Sequence, residues 1–273
     1  MAGTGMSGES IAPLTYVYAI AHGASPPSLA GVPAGLPGLE PPRLLGAGGG
    51  FWLVVASAPR APYGAEAIQQ GLGDLDWVSP RALAHDAVVH HVGRTATVLP
   101  AKLFTLFASD DRAVQNVAAR RAALARTVAR LAGRREWGVR ARLTAPPPTL
   151  AGREGTDRND GRGAGTRYLR RKQEERAGAR RAAGQVRREA ELAYRALRGV
   201  ADAARRQLAT ERTPGSVVVL DAAFLVPSRA TAAFRATVRR WAGRLRRRGC
   251  ALTLTGPWPP YTFVAERTAD RRG

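Results

Sequence analysis

The chain has 273 residues, 45% of them hydrophobic, and a formal net charge of +21 at pH 7. Cys250 is the single cysteine, which excludes an intramolecular disulfide. The apolar runs fall far below the ~18 residues that span a bilayer. The first ten residues have neither a basic cluster nor an apolar stretch, so no signal peptide is expected and the cytoplasm is the expected location.

The first half reads as alternating strands and helices. Residues 14–21 are rich in β-formers and alternate with period two, as a strand does. Residues 23–49 are dominated by Gly and Pro and read as loop, with a short strand near Arg43–Leu45. Residues 50–58 form a strong strand, ended by Pro59. Ser79-Pro80 has the pattern of an N-cap followed by proline at the first helical position, which predicts a helix from there to about Val92. Residues 95–107 read as a strand broken at Pro100, and Ser109-Asp110-Asp111 opens the next helix. In that helix Val114, Val117, Arg121, Leu124, Val128 and Leu131 recur as one stripe with a single polar member, and Gly133 is the expected stop. The order predicts a small sheet with helices on one face, a modified ferredoxin-like domain over residues 1–133.

The second half is built from longer pieces. Residues 136–143 alternate as a half-exposed strand. Residues 144–165, with Pro146-Pro147-Pro148 and a Gly/Asp/Arg tract, predict a flexible loop. From Thr166 to about Ala209 a long helix is expected, with Val186, Ala190, Ala193, Leu197, Val200, Ala204 and Leu208 on one face. Gly178, Gly184 and Gly199 mark places where it breaks into two. Thr213-Pro214-Gly215 is a turn, residues 216–226 an apolar strand, and Ser228 the cap of a helix over 230–248 that Gly249 stops. Residues 251–255 form the last strand, and the tail 266–273 is polar and loose. The expected architecture is α+β in two domains, with residues 134–273 forming an α+β domain with long helices.

Charge divides the chain unevenly. Residues 1–133 hold 10 basic and 8 acidic side chains, whereas residues 134–273 hold 32 and 13. A field of this sign attracts phosphate or carboxylate partners, so an arginine-rich nucleic-acid-binding protein is one reading. Against it stand the absence of a reader motif and an aromatic content of only 6%, too sparse to interleave the arginines with stacking platforms. Catalytic patterns are missing. His85 and His90 lie five apart, on different sides of a helix, so they do not form an i,i+4 metal pair. The Gly48-Gly49-Gly50 run precedes a strand, not a helix, and no Gly-Lys-Ser/Thr follows to cradle phosphate. No catalytic, cofactor-binding or metal-binding residue is expected.

The most specific segment is Leu252-Thr-Leu-Thr-Gly-Pro-Trp-Pro-Pro-Tyr-Thr-Phe-Val264, a strand exiting into a stiff extended turn. Its prolines fix φ and remove backbone donors. The residues singled out are Trp258, Pro259, Pro260, Tyr261 and Phe263, either as a clasp closing the core or as an exposed ridge for a partner. The segment resembles the C-terminal signature of the GvpL/GvpF family of gas vesicle proteins. Tyr16–Ile20, Ala82–His85 with Val88-Val89, Val98–Pro100, Glu136–Val139, Tyr168-Leu169 and Phe224–Val226 match the same family in order. One stretch departs. Where the family reads Leu-Pro-Leu-Arg-Phe-Gly-Thr, this chain has Leu99-Pro-Ala-Lys-Leu-Phe-Thr105, placing Lys102 and Phe104 at the Arg and Gly positions. The resemblance implies a non-enzymatic, cofactor-free assembly factor. Its implied partners are the major gas vesicle shell protein and other accessory gas vesicle proteins, during vesicle nucleation or formation. It also implies a ferredoxin-like first domain and a second domain with long helices.

Overall fold

The computed structural model describes residues 12–144, 164–207 and 216–264. The chain divides into two compact units, Met1–Gly133 with Trp258–Gly273, and Arg134–Pro257. The expected second domain, 134–273, thus yields its last residues to the first unit, because the segment after Trp258 packs against that unit's strand and helix at Thr97–Pro100 and Arg121–Leu131.

The first unit holds β1 (Leu14–His22), β2 (Arg43–Gly46), β3 (Phe51–Ala58), β4 (Thr97–Pro100) and β5 (Leu106–Phe107). The sheet order is β2-β3-β1-β4, with β5 also pairing β1, and β1 is antiparallel to β3, β4 and β5. Seating β1 between β3 and β4 is the split arrangement of a ferredoxin-like sheet. The β1–β2 connection, where that fold carries a helix, is instead the Gly/Pro-rich stretch. Two short helices not expected from the sequence, α1 (Arg60–Tyr63) and α2 (Ala65–Gly71), precede α3 (Leu75–Gly93). That helix starts before the expected Ser79-Pro80. Asp74 is its N-cap, accepting from the Asp76 N–H at 2.9 Å, and Pro80 lies inside the first turns. The next helical stripe is two helices, α4 (Asp110–Ala119), capped by Ser109, and α5 (Arg121–Leu131), with a kink at Arg120.

Helices cover both faces of this sheet, not one. β1 and β3 are buried almost throughout, the mark of a strand packed on two sides. A bulge at Tyr18 sets the faces. Tyr16, Tyr18, Ala19 and Ala21 meet Val88, Val89 and Val92 of α3, whereas Val17 and Ile20 turn to the opposite side, toward α4 and α5. The stripe's one polar member, Arg121, anchors the β2–β3 turn by donating to the Ala47 carbonyl at 3.0 Å.

The second unit holds β6 (Arg134–Thr144), α6 (Ala164–Arg198), β7 (Ala203–Arg206), β8 (Ser216–Pro227), α7 (Thr231–Arg246) and β9 (Cys250–Trp258), which ends at the unit boundary. Its sheet order is β7-β8-β6-β9. Val186, Ala190, Leu197, Phe234, Val238 and Leu245 of the two helices bury against Trp137, Val139 and Phe224 of the sheet. α6 runs unbroken through Gly178 and Gly184 and stops at Arg198. The expected continuation of its stripe to Ala204 is overturned. Ala203–Arg206 is a strand whose Ala204 pairs with Phe224, so sheet pairing overrides the helix propensity of Ala-Ala-Arg-Arg. Ser228–Ala230 is a 3-10 turn, and α7 proper begins at Thr231. Gly133 and Gly249 stop α5 and α7 with φ of 68° and 70°, a conformation that favours glycine. The loop expected at 144–165 lies outside the described residues apart from Thr144, which ends β6, and residues 164 and 165, which open α6. Leu208, the turn at 213–215 and the tail at 266–273 also lie outside them.

Candidate partner-binding site

β9 runs further than the sequence suggests, through the Gly-Pro pair to Trp258, and no extended turn follows. Pro259 and Pro260, both buried, lead directly into one helical turn, α8 (Tyr261–Val264). The Pro260 carbonyl accepts from the N–H groups of Phe263 and Val264, each at 3.1 Å, so proline opens a turn in which its missing donor costs nothing. The five residues singled out in the sequence therefore separate by role. Phe263 is 1% exposed and plugs the first unit. Trp258 and Tyr261 remain 39% and 36% exposed, and the Trp258 ring meets His90 edge-on at 6.3 Å.

α8 borders a groove of about 510 Å³ on the α4/α5 side of the first sheet. Its floor is apolar, from Val17, Leu53 and Leu99. Val117 and Leu124 form one wall, and Tyr261 and Val264 close one end. Lys102 and Arg120 place cationic groups on its lining. A groove of this size and character fits an apolar segment flanked by acidic or polar groups.

The rim made by residues 100–107 is held rigidly from behind. The Ala101 N–H donates to the Tyr18 carbonyl at 3.0 Å, and the Val17 N–H donates to the Thr105 carbonyl at 2.9 Å. His85 Nε2 donates to the Ala101 carbonyl at 3.2 Å, which leaves Nδ1 to accept the Tyr16 hydroxyl at 2.7 Å. Burial is the main cause that lowers the His85 pKa to about 4 and pushes the Tyr16 phenol far up, so both stay neutral. Tyr18 accepts the Leu36 N–H at 3.0 Å and is pushed up to about 12, again mainly by burial, and Tyr63 donates to the Pro37 carbonyl at 2.5 Å. These groups are satisfied structural polars. His85, one of the matched family positions, orients the rim.

Phe104 explains the departure noted at residues 99–105. Its φ is +61°, the one positive value at a non-glycine among the described residues. The backbone there requires the left-handed region, which a Cβ makes costly by roughly 1–2 kcal/mol. The Phe104 ring lies 5.2 Å from Trp77, which also carries the Arg81 guanidinium at 4.0 Å. Stacking on Trp77 offsets the backbone strain. Nothing in the sequence alone signals that residue 104 needs this conformation; the comparison of Phe104 with the family's glycine was the only clue.

Among the described residues no group of three His, Cys, Asp or Glu side chains could hold a metal ion, and no helix is long and apolar enough to cross a membrane. The family described as gas vesicle synthesis protein GvpL/GvpF matches residues 14–265. The chain is 32% identical over 265 residues to gas vesicle protein L of Streptomyces sp. (strain CB03234), a match spanning 94% of this chain and 95% of that one. Its fold is similar to the crystal structure of GvpF from Anabaena sp. PCC7120, with a TM-score of 0.64 at 18% identity over 93% of this chain and 97% of the other. GvpF from Microcystis aeruginosa gives a TM-score of 0.61 at 17% identity over 93% and 99%.

Proposed function

Because the chain belongs to the GvpL/GvpF family of gas vesicle synthesis proteins, we propose that it is a cytoplasmic, non-enzymatic assembly factor that captures the major shell protein during vesicle formation. A shell subunit whose apolar face ends against gas aggregates if released unescorted, so its assembly calls for a partner that shields that face. The observation that carries this reading is the apolar groove beside α8, with exposed Tyr261 at its end and buried Phe263 fixing that end to the core. Other accessory gas vesicle proteins are the further partners of this reading, and no bond-making step is part of it.

The test is capture of the major shell protein by the full chain, in a pull-down or split reporter. Ala123 lines the groove, so Ala123→Arg fills it from the α5 side. The expected result is capture by the native chain and its loss in Ala123→Arg at an unchanged melting temperature. Absence of capture by the native chain overturns the function, and full capture by a folded Ala123→Arg overturns the groove as the site.

A further inference from the structure

The second unit carries a cationic face that the groove leaves unexplained. From Ser228 to Gly249 the sequence has eight arginines and no acidic residue. Phe234, Val238, Trp241 and Leu245 bury one side of α7, which divides its arginines into two flanks by helical angle. Arg235, Arg239 and Arg246 lie on one flank. Arg240, Arg244 and Arg247 lie on the other at i, i+4 and i+7, a ladder about 10 Å long at 1.5 Å per residue. All six are exposed. The second flank adjoins α6 at an open cleft lined by Glu189, Arg244, Arg247 and Arg248. Like charges at i,i+4 oppose helix formation, and among the described residues no acidic side chain pairs with Arg240, Arg244 or Arg247.

The cleft already demonstrates its chemistry. Glu189 of α6 reaches into it and accepts from Arg248 Nε at 3.0 Å, while Gln185 accepts from Arg248 Nη1 at 2.8 Å. Glu189 is 15% exposed at its side chain, so a carboxylate sits seated against a guanidinium there. Beside it Arg244 lies over the Trp241 ring at 4.6 Å, which orders its guanidinium before any partner arrives. We propose that the Arg240–Arg244–Arg247 ladder and its cleft form a docking site for an acidic segment of another protein, with carboxylates at matching helical spacing.

Three alternatives fit less well. A second copy of this chain carries the same +21 and is repelled. Single-stranded nucleic acid calls for exposed rings to stack on, and Trp241, the aromatic beside the ladder, is 7% exposed and covered by Arg244. Duplex DNA or an anionic bilayer needs only a broad cationic field, which would engage both flanks of α7 alike.

That difference supplies the test. The full chain is titrated at 0.15 M salt with a labelled 15-residue helical peptide bearing Glu at i, i+4 and i+7, with its Gln counterpart, with a 15-base-pair duplex, and with phosphatidylcholine/phosphatidylglycerol vesicles. Two triple variants of equal charge are compared, R240Q/R244Q/R247Q and R235Q/R239Q/R246Q, each checked by circular dichroism. The Glu peptide is expected to bind best and to weaken roughly tenfold in the first variant while changing little in the second. Glu189→Gln, which removes the charge of the seated carboxylate and so frees Arg248 from its counter-ion, is expected to tighten peptide binding more than Glu191→Gln, which removes equal charge elsewhere on α6. Equal losses in the two triple variants, tighter binding of the duplex or the vesicles, or no preference for Glu over Gln would each overturn the proposal.

Discussion

The interiors of the two units are made of different chemistry. Between its sheet and α3, the first unit buries Tyr16, Tyr18, Tyr63 and His85, each tied to a named partner. Between its sheet and α6/α7, the second unit buries Trp137, Phe224, Phe234, Val238 and Leu245, with no histidine or carboxylate in the cluster. A polar interior specifies one arrangement, because every misplaced group is left unpaired. An apolar layer relies on shape, and the buried carboxylates of the second unit, Glu136 and Asp221, lie on its strands outside that cluster. All four histidines of the chain belong to the first unit, so acid should distinguish the two.

The largest expected effect is a truncation that tests the apolar side. Phe234 is fully buried between Trp137 and Phe224, at ring separations of 6.2 and 5.4 Å. Phe234→Ala should cost about 3–5 kcal/mol, confined to the second unit when followed by hydrogen exchange. Loss of protection in β1 and β3 as well would break the comparison.

Next is pH. His85 is held near 4 in the folded chain, against an ordinary 6.5, because burial opposes its charge. The unfolded chain takes up that proton first, so stability is full above pH 6.5 and falls progressively toward pH 4. At pH 5 the loss is about 2 kcal/mol. Hydrogen exchange at pH 7 and 5 should show α3 and β4 loosening while β6 and β8 keep their protection. His85→Gln should flatten this dependence.

Tyr16→Phe removes the donor to His85 Nδ1 without changing the shape of the ring, and is expected to cost about 1–2 kcal/mol in a thermal melt. An unchanged melt would show that the polar network adds little. The smallest effect is expected at Trp258, in the motif near the end of the chain, with Phe263 as its internal standard. Trp258→Ala should cost about 1 kcal/mol because the ring is partly exposed, whereas Phe263→Ala, by the burial argument used for Phe234, should cost about 3 kcal/mol or more. Equal losses at the two positions would mean that Trp258 is also a core residue.

Much of this fold can be read from the sequence, where periodicity decides the outcome. The strands β1, β3 and β8 stand out because each is longer than four residues and rich in β-formers, β6 because it alternates apolar and polar residues, and Ser109 and Gly133 mark helix ends by their capping chemistry. Ala203–Arg206 could not be read that way. Its strand exists only because β8 offers a free edge, a fact about residues some twenty positions away. The two-sided burial of the first sheet follows from α3 packing on one face and α4/α5 on the other, and the bulge at Tyr18 decides which β1 side chains face which; no composition announces either. Within the candidate site, the segment at 258–263 was evident, but its division into buried Phe263 and exposed Trp258 depends on the angle at which one helical turn meets β4 and α5. The groove draws on residues from 17 to 264, too scattered for any local pattern.

The first unit is not continuous along the chain. It pauses at Gly133 and resumes only at Trp258, with the whole of the second unit in between. During synthesis its sheet and the helices α3 to α5 leave the ribosome long before Phe263, the side chain that plugs them. An unfinished molecule therefore carries an open core and an incomplete groove. On the proposed function, a ribosome that stalls before α8 yields a chain whose capture groove lacks the lining that Tyr261 and Val264 supply.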